Sequence, residues 1–117
     1  GTPYHLPRLA EVVRHINNST QTNIRALSNI ACLSEKQFSR IFSENIGTTP
    51  KDFMRIVRLQ RTLSVMQHNQ GIGFAQLSYE CGYTDQSHMI KEFKLFSGYT
   101  PKEYIARYSP VSDYFTF

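Results

Sequence analysis

Long hydrophobic runs are missing from this 117-residue chain. No apolar stretch approaches the roughly 20 residues needed to span a bilayer, and the first residues lack the basic and apolar pattern of a signal peptide. A soluble, cytoplasmic protein with no membrane partner is expected. Cysteine is scarce: Cys32 and Cys81 are the only two. Each falls in a helix-like pattern between small or apolar neighbours, so two buried, reduced thiols are expected in preference to a disulfide. Five Pro and six Gly without a period exclude collagen-like and low-complexity chains, and 40% hydrophobic residues indicate one ordinary globular domain. Alternation of polar and apolar residues is also absent over any length that would make a strand. A domain this short buries about two-thirds of its unfolded surface, enough for a helical core but not for a large cleft between domains. Catalytic constellations are missing too. The best is Cys81 with His88, but Cys81 sits on an inward face where desolvation suppresses thiol reactivity, and no carboxylate is placed to orient the histidine. Further metal ligands near His88 are lacking, so no cofactor, metal or enzymatic activity is expected.

What is present is a modest positive excess, 13 Lys plus Arg against 9 Asp plus Glu, a net charge of +4. This favours a polyanionic partner without choosing between nucleic acid, an acidic membrane surface and a protein. Helical periodicity then runs along the chain. Leu9, Val12, Val13 and Ile16 follow Pro7 on one face. A second helix from Thr22 or Asn23 carries Ile24, Leu27, Ile30 and Ala31. After a turn at Cys32-Leu33, Ser34 and Gln37 form a capping-box pattern that opens a helix with Phe38, Ile41 and Phe42 inward, stopped by Gly47. Thr49-Pro50 opens a long helix to about Gln67 with Phe53, Ile56, Leu59, Leu63 and Met66 inward. His68 to Gly73 is a connector. A short helix with Leu77 and Cys81 ends at Gly82, another begins near Thr84 or Asp85 with Met89, Phe93 and Phe96 inward, and a last one follows Pro101 with Tyr104, Ile105 and Tyr108. The fold class expected is all-α.

The helices repeat. Leu27-Ser28 recurs as Leu77-Ser78 at an offset of 50, and beyond the turn the offset becomes 51: Arg40 matches Lys91, Phe42 matches Phe93, Gly47 matches Gly98, Thr49-Pro50-Lys51 matches Thr100-Pro101-Lys102, and Phe53 matches Tyr104. One inserted residue in the second turn explains the change. Each copy has the form of a helix-turn-helix, in which the second helix can enter a groove wide enough to admit it.

The stretch from Phe74 through Cys81-Gly82-Tyr83 and Asp85-Gln86-Ser87-His88 to Phe93-Lys94, continuing to Gly98-Tyr99-Thr100-Pro101, resembles the signature of AraC/XylS-family transcription regulators. So do Phe38 to Phe42, Gly47 to Pro50 and Arg58 to Arg61. The resemblance covers about residues 6 to 108. It implies two helix-turn-helix subdomains joined by a long linker helix, a first unit at about 6–48, a linker at 50–67, a second unit at 73–108 and a tail at 109–117. It also implies binding to double-stranded DNA, and activation through contact with RNA polymerase. Met89 and Ile90 depart from the family's more usual aromatic followed by polar residue, and Ser87-His88 from a small-plus-aromatic pair.

On the first recognition helix the inward stripe turns Lys36, Gln37, Ser39, Arg40 and Ser43 outward. By resemblance, Lys36, Gln37, Ser39 and Arg40 stand at base- and phosphate-contacting positions. Gln suits adenine and Arg guanine in bidentate pairs. On the second, Gln86, Ser87, His88, Ile90 and Lys91 are turned outward. Lys91, matching Arg40, is the better candidate there; Ile90 is left with two roles, a thymine methyl or packing. Lys51 and Lys102 at helix starts are expected to meet phosphates, with Thr49 and Thr100 capping those helices. Lys51, Arg55, Arg58 and Thr62 fall on one stripe, which a solvated face would equally explain. The expectation is a sequence-specific DNA-binding domain reading two major-groove segments about 10 bp apart, with modest bending of the duplex. Gly1-Thr2 reads as the start of a cut piece, with an effector or dimerisation domain expected upstream. A helical protein-binding module is the competing reading.

Overall fold

In a computed structural model, residues 5–108 are described, and they form seven α-helices and no strand. These are α1 (Leu6–Asn18), α2 (Ile24–Ile30), α3 (Glu35–Ile46), α4 (Pro50–His68), α5 (Phe74–Glu80), α6 (Gln86–Ser97) and α7 (Pro101–Tyr108). The tail singled out in the sequence lies outside the described residues. The chain divides into two units, Gly1–Arg61 and Thr62–Phe117, with the division inside α4.

In the first unit, Leu9, Val12 and Ile16 of α1 meet Leu27 and Ala31, the stripe Phe38, Ile41 and Phe42 of α3, and Val57 of α4. The ring of Phe42 lies 5.5 Å from that of Phe38 and 5.6 Å, edge-on, from that of Phe53. In the second, Leu77, Cys81, Tyr83, Met89 and Phe93 are buried, and Phe93 meets Tyr104 edge-on at 5.7 Å. Matching positions thus do the same work in both units. Ser28 and Ser78 are both buried, and each spends its hydroxyl on a carbonyl of its own helix, Arg25 at 2.9 Å and Phe74 at 2.7 Å.

The turns match as well. The Leu33 amide donates to the Ser28 carbonyl at 3.0 Å, and the Tyr83 amide to that of Ser78 at 3.0 Å. This closure needs a left-handed residue just before it. In the second unit that residue is Gly82, at φ +86°; in the first it is Cys32, at φ +57°. Cys32 is therefore an exposed turn residue, which corrects the expectation of two buried thiols; only Cys81 is buried, and neither forms a disulfide. A side chain in the left-handed region is strained by about 1 kcal/mol or more. Cys32→Gly is expected to raise the stability of the first unit by about 0.5–1 kcal/mol, less than the strain because glycine gains freedom in the unfolded chain. Gly82→Ala should lower that of the second by a similar amount, and urea-unfolding midpoints check both.

Two residues of α4 depart from the expected pattern. Ile56 is exposed, because Val57, one turn beyond Phe53, takes the inward position. Thr62 lies on the helical stripe of Lys51 and Arg55 but is not solvated with them: it is 0% exposed, and its hydroxyl bonds the Tyr83 hydroxyl at 3.0 Å. A threonine reads as polar in a pattern, yet its methyl packs like an alanine once its hydroxyl has a partner.

Candidate nucleic-acid interface

α3 is started by Ser34, whose hydroxyl accepts the Gln37 amide at 3.2 Å, while the Gln37 carboxamide oxygen accepts the Ser34 amide at 3.4 Å. The expected capping box is formed. Gly47, at φ +92°, ends the helix with its amide donating to the Ser43 carbonyl at 3.0 Å. Between these ends, Lys36, Gln37 and Arg40 are exposed and Ser39 is half-buried. Arg40 meets Glu44 at 3.5 Å, but both side chains are more than half exposed. Such a pair is worth no more than about 1 kcal/mol, so a phosphate or a guanine edge can take the guanidinium from it. The Gln37 oxygen is engaged in the cap, which leaves its NH₂ group for an outside acceptor.

α6 is built likewise. Asp85 accepts the His88 amide at 2.7 Å, and Gly98, at φ +84°, closes the helix by donating to the Lys94 carbonyl at 2.9 Å. Gln86, Ser87 and Lys91 are exposed, whereas His88 and Ile90 are half-buried. The imidazole of His88 does not stand out from the surface. Its Nδ1 lies 3.1 Å from the Thr84 amide and its Nε2 3.3 Å from a Glu92 carboxylate oxygen. Glu92 is the residue that sequence reasoning missed. The duplication alone could have found it, since the matching position in the first unit is the core residue Ile41.

Lys51 and Lys102 are exposed in the first turns of α4 and α7. The threonines before them cap: Thr49 accepts the Asp52 amide at 3.2 Å and Thr100 that of Glu103 at 3.1 Å. Glu103 closes a second capping box by accepting the Thr100 amide at 2.8 Å. That amide, then the Thr100 hydroxyl, holds the Glu103 carboxyl below its ordinary range. The box therefore stabilises the folded chain above the usual carboxylate range and is lost as pH falls through the lowered value. Arg61 serves the fold by donating to the last carbonyls of α1, Ile16 at 3.3 Å and Asn17 at 3.1 Å, where a cation also suits the helix dipole. Arg55 pairs with Asp52 at 3.3 Å. Among the described residues, no group of three or more His, Cys, Asp and Glu could hold a metal, and no helix is long and apolar enough to cross a membrane.

Each unit therefore presents a twelve-residue helix, capped at both ends and seated on a buried stripe, Phe38, Ile41 and Phe42 in one and Met89, Glu92 and Phe93 in the other, with polar and basic side chains on its outer face. A family model described as a helix-turn-helix domain matches residues 27–107. Among curated relatives, an uncharacterized helix-turn-helix-type transcriptional regulator of Haemophilus influenzae is 33% identical over 82 residues, covering 70% of this chain and 27% of that protein. The transcriptional regulator ArgR of Pseudomonas aeruginosa is 30% identical over 73 residues, 62% of this chain and 22% of ArgR. The chain thus spans about a quarter of the length of these relatives. Among solved structures, an AraC-type regulator from Chromobacterium violaceum superposes with a TM-score of 0.75 at 22% identity, covering 93% of this chain and 99% of that one. The DNA-binding domain of AdpA, in complex with a target DNA, gives 0.76 at 21% identity over 87% and 96%. With the family model spanning both units and the fold shared throughout, the chain belongs to the AraC-type helix-turn-helix family.

Proposed function

We propose that this chain is the sequence-specific DNA-binding domain of a bacterial transcription regulator, with α3 and α6 as recognition helices for two successive major-groove segments about 10 bp apart. The observation that carries this reading is the duplication of one presentation device. Two capped helices of equal length present Arg40 on α3 and Lys91 on α6 at matching positions, with Lys36 exposed on the first helix and Gln86 on the second. Lys51 and Lys102, at matching helix starts, supply the phosphate contacts. The work is divided as a first unit over about 6–48, a linker over 50–67 and a second unit over 73–108. The length of the relatives supports a domain of a longer protein; an effector or dimerisation part preceding it and RNA polymerase as a further partner belong to the same proposal and follow from the family resemblance. Its compartment is the reducing cytoplasm, in keeping with two thiols outside any disulfide. The chain acts by binding, not catalysis, and Cys81 is a core residue.

Salt titration of duplex affinity tests this reading. Neutralising roughly four to six phosphates lowers affinity by about 10²–10³-fold between 50 and 200 mM salt. A flat salt response would instead mark a protein-binding module, whose interface depends little on counterion release.

A further inference from the structure

Glu92 is the one buried acidic side chain among the described residues, 5% exposed where the first unit has Ile41 at 7%. It meets His88, which the same register matches to Gln37. Both His88 and Gln37 stand in the first turn of their helices and reach back to a backbone amide, that of Thr84 at 3.1 Å and that of Ser34 at 3.4 Å. An amide nitrogen only donates, so Nδ1 of His88 must carry its lone pair. The proton of the neutral ring then sits on Nε2, facing the Glu92 carboxylate at 3.3 Å. The Thr84 hydroxyl, 3.1 Å from Nδ1, donates to it as well. The edge of Tyr83 packs on the ring at 5.2 Å.

We propose that His88 is a positioning residue whose neutral ring clasps Thr84 to Glu92 and sets the first turn of α6, so that protonating it loosens sequence reading by the second unit. The inference rests on the DNA-binding reading above. A second proton goes to Nδ1 and turns it from acceptor to donor. It then opposes the Thr84 amide, while Nε2 still donates to Glu92. The ionisable side chains touching the imidazole are Glu92, from its own helix, and Tyr83, from the turn before it; Asp85 bonds only the His88 backbone. The contact to Thr84 is made by the neutral ring and lost on protonation of Nδ1. Gln37, at the matching position, reaches back to the N-cap amide three residues before it, not four, with a group that does not titrate, so the first unit has no such dependence.

Two measurements test the clasp. In the free protein, long-range proton–nitrogen NMR correlations of His88 at pH 7.5 are expected to show the Nε2–H tautomer; the Nδ1–H tautomer would overturn the proposal without reference to DNA. The specificity ratio, affinity for the cognate duplex over a scrambled one, is then compared at pH 7.5 and 5.5. For the natural chain it should fall about fivefold, the scale of a lost helix cap. His88→Gln, which copies the first unit, should keep the higher ratio at both pH values, and His88→Ala the lower ratio at both. A pH-independent ratio in the natural chain, or loss of the ratio in His88→Gln at pH 7.5, would overturn the clasp; the latter would make His88 a DNA contact. Failure of the natural chain to bind either duplex would sink the DNA-binding reading, while the tautomer still decides the clasp.

Discussion

Phe42→Ala is expected to unfold the first unit at ambient temperature. The Phe42 ring is fully buried between those of Phe38 and Phe53. Removing it takes away its transfer free energy and leaves a cavity among rigid aromatic neighbours, a cost of about 3–5 kcal/mol. Whole domains are stable by only about 5–15 kcal/mol, and small ones lie at the low end. Amide NMR signals from α1 to α3 should therefore lose their dispersion, with signals from α5 to α7 as the internal comparison. An unchanged unfolding midpoint would mean that Phe42 does not bind α3 to the rest of its unit, and the account of the first core would fail.

Arg40→Ala is expected to lower affinity for the cognate duplex by about 5- to 150-fold, the equivalent of 1–3 kcal/mol for a bidentate base contact, with stability nearly unchanged. Stability and binding separate here because the ion pair of Arg40 with Glu44 is exposed and contributes little. Lys91→Ala should act alike through the second helix, and relax preference at a different base pair. Lys51→Ala and Lys102→Ala should instead weaken binding to all sequences alike and reduce the salt slope by about one each. Competition gel-shift assays with single-base variants distinguish the two classes. A uniform loss from Arg40→Ala would place it on the phosphate backbone.

The all-helical fold and its duplication were legible because the signals that carry them are local: apolar residues at helical spacing, Ser34 with Gln37, Gly47 and Gly98, Thr-Pro at two helix starts. Those features act within one turn of the chain, and sequence displays them directly. The departures have nonlocal or conformational causes. Thr62 reads as polar until Tyr83, far along the chain, supplies its partner. Cys32 reads as a buried thiol until the turn gives it the left-handed conformation that its counterpart Gly82 adopts freely. Ile56 and Val57 are adjacent and both apolar, and only packing chooses between them. At the candidate interface, the outer faces of α3 and α6 followed from their buried stripes. His88 did not, because Glu92, a charged residue by composition, occupies a core position and draws the ring inward.

The central claim is that the two units read two separate blocks of one DNA site, and selection from a randomised duplex library followed by sequencing tests it most directly. The natural chain should enrich two short blocks about one helical turn apart, Arg40→Ala should blur one block, and Lys91→Ala the other. Enrichment of a single block, blurred by Arg40→Ala and indifferent to Lys91→Ala, would contradict the account and reduce the second unit to a clamp on the backbone.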